Sequence, residues 1–173
     1  MMREIQNVQD DIIEMKRLIK QKLVSDPDII EALHNNNLDK DSPDEFLDTN
    51  IYGFLRIPQT QDVVRNFICF TVDDIEDARF NEAMKVQYIQ FTCICHLDDI
   101  KTSYAMDRHD LLGYLIREIF NWTNIFGLQF KLIYNKESTL DSDYYCRTLK
   151  FEAIKPNSLN NARMNNPNDK LRR

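Results

Sequence analysis

One stretch constrains this chain more than any other. Lys85 to Leu97 contains no Gly, Pro, Asn, Asp or Glu, and Val86, Tyr88, Thr92 and Ile94 alternate with Ile89, Phe91, Cys93, Cys95 and Leu97. A period of two without a breaker predicts a strand. At about 3.3 Å per residue it would reach roughly 40 Å, long for a small domain. Both faces are largely apolar, so the strand is expected to be central in a sheet or packed on both sides. A strand that long is also expected to reach beyond its own subunit.

The rest of the chain supplies what such a strand needs. Ile5, Val8, Ile12, Met15, Ile19 and Leu23 recur at three- and four-residue steps and predict an amphipathic first helix. Ser25-Asp26-Pro27 reads as a stop and a fresh start, with Asp26 or Ser25 capping a short helix that ends at Asn35-Asn36-Asn37. Residues 36–50 read as a polar connection. Ile51 to Ile57, ended by Pro58, and Val64 to Val72 predict two strands paired as a hairpin.

After the long strand, Asp107-Arg108-His109-Asp110 offers a capping-box helix start. Leu111, Leu112, Leu115, Ile116, Ile119 and Phe120 form its apolar stripe, and Gly127 is expected to close the segment. Leu128 to Tyr134 and Tyr144 to Ile154 complete the strands, with a turn from Asn135 to Asp143 between them. Only one helix lies between strands. The expected fold is therefore α+β: about five mainly antiparallel strands, helices on one side, order α-α-β-β-β-α-β-β. A single domain is expected over residues 1–155, with a flexible, basic, Asn-rich tail over 156–173.

Charge narrows the functions available. The chain of 173 residues carries a net −6, yet Arg163, Lys170, Arg172 and Arg173 make the last segment basic and leave the body strongly acidic. An acidic body repels phosphate, which argues against a conventional DNA-groove reader. The tail reads either as a partner-binding segment that orders on contact or as a solvated terminus without a role. Asp73, Asp74, Glu76 and Asp77 form an acidic loop with two readings: plain solvation, or a repulsive surface past which DNA slides without sticking. No apolar run of about 18 residues predicts a membrane helix. Met1 to Asn7 offers no apolar leader, so an intracellular product is expected.

Catalytic chemistry finds little purchase. Three scattered glycines exclude a phosphate-cradling loop. Cys69, Cys93, Cys95 and Cys146 lie in apolar runs without zinc-like spacing and are expected to be buried, reduced and inert. His96, Asp98, Asp99 and Lys101, with Asp107, His109 and Asp110 nearby, suggest a metal-dependent nuclease, because Asp99-Ile100-Lys101 spells half of a nuclease signature. Capping explains Asp107 and Asp110 without a metal. His34 and His109 read as structural. No cofactor and no metal are expected.

Taken together, the layout resembles the small neck proteins of tailed bacteriophages, above all the tail terminator (tail completion) group. The residues carrying the resemblance are Asp26-Pro27-Asp28-Ile29-Ile30, the strand ending in Pro58, Asn66-Phe67-Ile68-Cys69-Phe70, the long strand around Tyr88 to His96, and Arg108-His109-Asp110-Leu111-Leu112. The last of these follows the family's Arg-x-Asp-hydrophobic pattern. The resemblance covers about residues 5–155. It implies a non-enzymatic virion protein, made in the host bacterial cytoplasm, that closes as a homohexameric ring. Such a ring caps the tail tube and joins the tail to the head connector. The implied partners are itself, the tail tube protein, the head-tail connector or stopper and, in a contractile tail, the sheath; DNA passes through unbound, and no membrane is involved. A head-tail adaptor or stopper of the same neck remains the alternative, with the nuclease reading on Asp98, Asp99 and Lys101 behind it.

Overall fold

The structure, a computed structural model, describes residues 11–56, 65–75 and 84–156. The first helical stripe folds as α1, Asp11–Val24, with Met15, Ile19 and Leu23 buried at four-residue steps; Ile5 and Val8 lie outside the described residues. Helix α2 is Pro27–Leu33 and begins as its sequence dictates. Asp26 Oδ1 accepts from the amides of Asp28 and Ile29 at 3.0 and 3.2 Å, and Pro27 occupies the first turn, where its missing N–H costs nothing. His34 ends α2 in the left-handed region at φ 49°. The polar connection that follows hides one apolar plug: Phe46, in a 3-10 turn over Pro43–Phe46, is fully buried.

Strand β1 corrects one expectation. It is only Ile51–Tyr52, and it pairs with β2 (Asn66–Ile75) in parallel, Ile51 opposite Ile68 and Tyr52 opposite Cys69. The expected hairpin is therefore absent. Asn50 sets the parallel pairing: its carbonyl accepts from the Ile68 amide at 2.8 Å and its Nδ2 donates to Asn66 O at 2.8 Å. Chain beyond Arg56, including Ile57 and Pro58, lies outside the described residues.

The long strand is β3, Met84–His96, and it holds the middle of a sheet ordered β1-β2-β3-β5-β4, all antiparallel apart from β1. Its length does not project alone. Strand β5, Tyr144–Pro156, matches it residue for residue from Met84↔Pro156 to His96↔Tyr144, while β2 flanks it from Cys95 to Val86. Strand β2 also runs further than its apolar pattern suggests, because Asp73 and Asp74 continue the ladder opposite Tyr88 and Gln87.

Helix α3, Arg108–Phe120, connects β3 to the last pair. It stops at Asn121, whose amide donates to Arg117 O, and not at Gly127, which sits at φ 72° in the following loop. Strand β4 is Lys131–Thr139 and reaches well past Tyr134. The turn is correspondingly short. Asp141 Oδ1 closes it by accepting from the amides of Asp143 and Tyr144 at 2.8 and 2.9 Å, so that β5 starts at Tyr144 as expected. A register shift between Leu132 and Tyr134 leaves Ile133 as a bulge on this edge strand.

The three helices of the described residues cover one sheet face, giving an α+β fold. Ile19, Leu23, Ile29, Leu33, Leu112, Ile116 and Phe120 meet Ile68, Phe70, Ile89, Phe91, Leu149 and Phe151 in the main core. Phe91 is its centre, with ring centroids 4.7 Å from Phe120, 5.9 Å from Phe151 and 6.0 Å from Phe70. Among the described residues the opposite face is sealed near one end of β3, where Tyr52, Phe67, Cys69, Ile94, Tyr144 and Cys146 cluster. Towards Val86 that face is half-buried and mixed in polarity, so β3 is central but packed on both sides for only part of its length.

Candidate functional site

The densest polar chemistry lies where α2, the start of β2, the loop after β3 and the first turn of α3 converge. Arg108 is its hub. Its Nε donates to Asp99 O at 2.6 Å, Nη1 to Ala32 O at 3.0 Å, and Nη2 to Asp99 Oδ1 at 3.1 Å and Lys101 O at 3.3 Å. The guanidinium is 8% exposed, and its planar fork is what lets one side chain bind three backbone carbonyls and a carboxylate. Asp99 is engaged from two more sides, by Asn66 Nδ2 at 2.6 Å and by His34 Nδ1 at 2.9 Å. Asn66 Nδ2 also donates to Leu33 O at 2.9 Å. The network fastens the end of α2 to the start of α3 across the rim of the sheet.

A shallow groove of about 680 Å³ opens beside it, lined by Asp28, Glu31, His34, Lys40, Lys101 and Tyr104 among others. Its walls mix both charge signs, and the cation at its base, Arg108, already spends its donors on the protein.

The residues suggested for a nuclease are dispersed rather than gathered. Asp98 faces Arg65 at 3.1 Å, Asp99 faces Arg108 and His34, and Lys101 Nζ donates to Asp107 at 2.8 Å. That last bond raises the Lys101 pKa and takes the Asp107 carboxylate away from the helix N-terminus. Asp107 therefore caps α3 by position without a side-chain bond, which corrects the capping-box expectation. His96 Nδ1 accepts from the Asp98 amide at 3.1 Å and serves the turn. A hydrolytic metal needs several carboxylates turned towards one point, and here each of these acids turns towards a cation.

The Arg-x-Asp pattern proves to be an anchor. Arg108 binds α3 to α2, and Asp110 binds it to the sheet through Arg147 on β5. Arg147 Nε is held in turn by Asn135 Oδ1 at 2.8 Å. Beside this pair, His109 Nε2 lies 3.5 Å from Asp110 Oδ1 and 3.3 Å from Glu137 Oε1. Glu137 and Arg147 were missed from sequence because only the β4–β5 register, Glu137 opposite Arg147, brings them to α3.

Of the acidic segment, Asp74 pairs with Lys85 and Gln87, whereas Asp73 is exposed. Glu76, Asp77 and the basic residues Arg163, Lys170, Arg172 and Arg173 lie outside the described residues. All four cysteines are free and buried. Desolvation raises the pKa of Cys69, Cys93 and Cys95 and keeps them neutral. Among the described residues no helix is long and apolar enough to cross a membrane.

No curated protein matches the chain. The model of the YomW family matches residues 26–153, from the cap of α2 into β5, and the chain belongs to that family. The family name is of a Bacillus phage type and points to a phage-related protein.

Proposed function

We propose that this member of the YomW family is a structural protein of the phage neck, a ring that caps the tail tube and joins the tail to the head connector. The proposal rests on the resemblance of its element order and of Arg108-His109-Asp110-Leu111-Leu112 to the tail terminators. Six copies form the ring, and DNA crosses its lumen without specific binding.

The observation that carries the ring is the placement of apolar side chains at opposite edges of the sheet. On the β4 edge, Ile133, Tyr134 and Leu140 are 42%, 45% and 37% exposed. On the β1 side, Phe54 and Leu55 are each 56% exposed. Two different apolar patches at opposite ends of one subunit suit a head-to-tail contact, and such contacts close into rings when the rotation per copy allows. The bulge at Ile133 interrupts the β4 hydrogen-bonding edge, so the joint is made by side chains and not by strand addition. The acidic body supports the lumen reading. Of the candidate lumen or assembly surface Asp73, Asp74, Glu76 and Asp77, the first two are described, Asp73 exposed and Asp74 paired with Lys85. The basic end (Arg163, Lys170, Arg172, Arg173) is the candidate contact to a neighbouring ring, tube or sheath protein.

Tail terminator is preferred over adaptor or stopper on the element order and the Arg108-His109-Asp110 helix start. The test is functional capping. Full-length protein is added to the polymerising tail tube protein of the same phage and viewed by electron microscopy. Short tubes carrying a ring at one end are expected; unrestrained tube growth with no ring contradicts the proposal.

A further inference from the structure

His109 is 1% exposed, and neither of its ring nitrogens has a hydrogen-bond partner. A buried polar group left in that state is destabilising, which makes the surroundings of its Nε2 informative. That atom is aimed at two carboxylates from different elements, Asp110 Oδ1 at 3.5 Å and Glu137 Oε1 at 3.3 Å. One ligand atom from each of the three residues fits within 4.8 Å of the others. Zinc–nitrogen and zinc–oxygen bonds of about 2.0–2.2 Å at a tetrahedral angle place neighbouring ligand atoms about 3.3 Å apart. Both separations match that spacing while failing as hydrogen bonds.

We propose that His109, Asp110 and Glu137 bind a divalent transition-metal ion of the zinc class, with the fourth position open to solvent beside the exposed Glu137. One imidazole with two carboxylates suits zinc, cobalt or manganese, whereas magnesium and calcium take oxygen ligands throughout. The role is structural. Among the described residues β4 joins the sheet through β5 alone, and the ion ties this edge strand to the first turn of α3. Arg147 Nη1 donates to the same Asp110 Oδ1, so the ion competes with that guanidinium for this oxygen, while Asn135 Oδ1 still holds Arg147 Nε. Nδ1 of His109 has no outer partner, so the affinity is modest for a zinc site.

The experiment titrates Co²⁺ into the full-length protein and reads its visible d–d absorption, then displaces it with Zn²⁺. One equivalent of Co²⁺ in a tetrahedral environment is expected, together with a Zn²⁺-dependent rise in the thermal midpoint. Glu137 is 58% exposed, so Glu137→Gln leaves the fold intact; it is expected to lower the Co²⁺ affinity about tenfold or more. His109→Asn should abolish the bands. Absence of both signals overturns the site, as does unchanged binding in Glu137→Gln. Thiolate charge-transfer bands would place the ion on cysteines, and an equal thermal shift from Mg²⁺ would remove the transition-metal assignment.

Discussion

The guanidinium of Arg108 holds Asp99 twice, once by its carbonyl at 2.6 Å and once by its carboxylate at 3.1 Å, while a third arm reaches Ala32 O in α2. Removing a mostly buried cation from such a site strands the carboxylate and three carbonyls. Arg108→Ala is expected to cost about 3 kcal/mol, near the lower end for breaking a buried charge pair. Arg108→Lys should recover little, because an ammonium cannot copy the fork. Urea unfolding midpoints of the two variants against the parent check both statements.

Phe91 touches Phe70, Phe120 and Phe151, so it couples the sheet to α3. Phe91→Ala should destabilise by about 3–5 kcal/mol through lost burial and the cavity left behind. Thermal or urea unfolding reads the loss directly, and a change within the scatter of surface substitutions would show that the aromatic cluster is not the centre of the core.

The middle of this architecture was legible because its residues repeat one instruction. β3 and α3 carry clean periods of two and of 3.6, and Asp26-Pro27 announces α2. What escaped was set by contacts between distant segments. The parallel sense of β1 rests on Asn50 bonding across to Asn66 and Ile68, which no local pattern encodes. Asp107 is a good capping residue diverted by Lys101, and Gly127 is a good terminator placed after Asn121 has already ended the helix. At the candidate site the Arg108-His109-Asp110 run was visible, but its partners Asp99, Ala32, Arg147 and Glu137 come from four other segments.

Burial of Cys93 and Cys95 raises their pKa values, and the sign of the consequence follows. Below the ordinary thiol pKa of about 8.5 neither state is ionised and their contribution is intact. As pH climbs above that value, unfolded thiols ionise while folded ones stay neutral, so stability falls, by up to about 1.4 kcal/mol per pH unit for each thiol. Urea midpoints between pH 8 and pH 10 should decline, and the slope should flatten in a Cys93→Ala, Cys95→Ala double variant. A thiol reagent at neutral pH should label these two residues only after denaturant is added.

The edges are tested by single charges. Ile133→Asp and Leu55→Asp alter exposed side chains, so the fold should lose no more than about 0.5 kcal/mol. Each should nevertheless weaken self-association, because each spoils one half of the same joint. Light scattering coupled to size exclusion gives the mass of each variant, and equal masses for parent and variants would remove these patches from the contact.

Native mass spectrometry of the full-length chain at micromolar concentration bears most directly on the ring. A single dominant species near six times the mass of the 20.6 kDa chain is expected. A stable monomer at that concentration would contradict a subunit that covers its apolar edges with copies of itself.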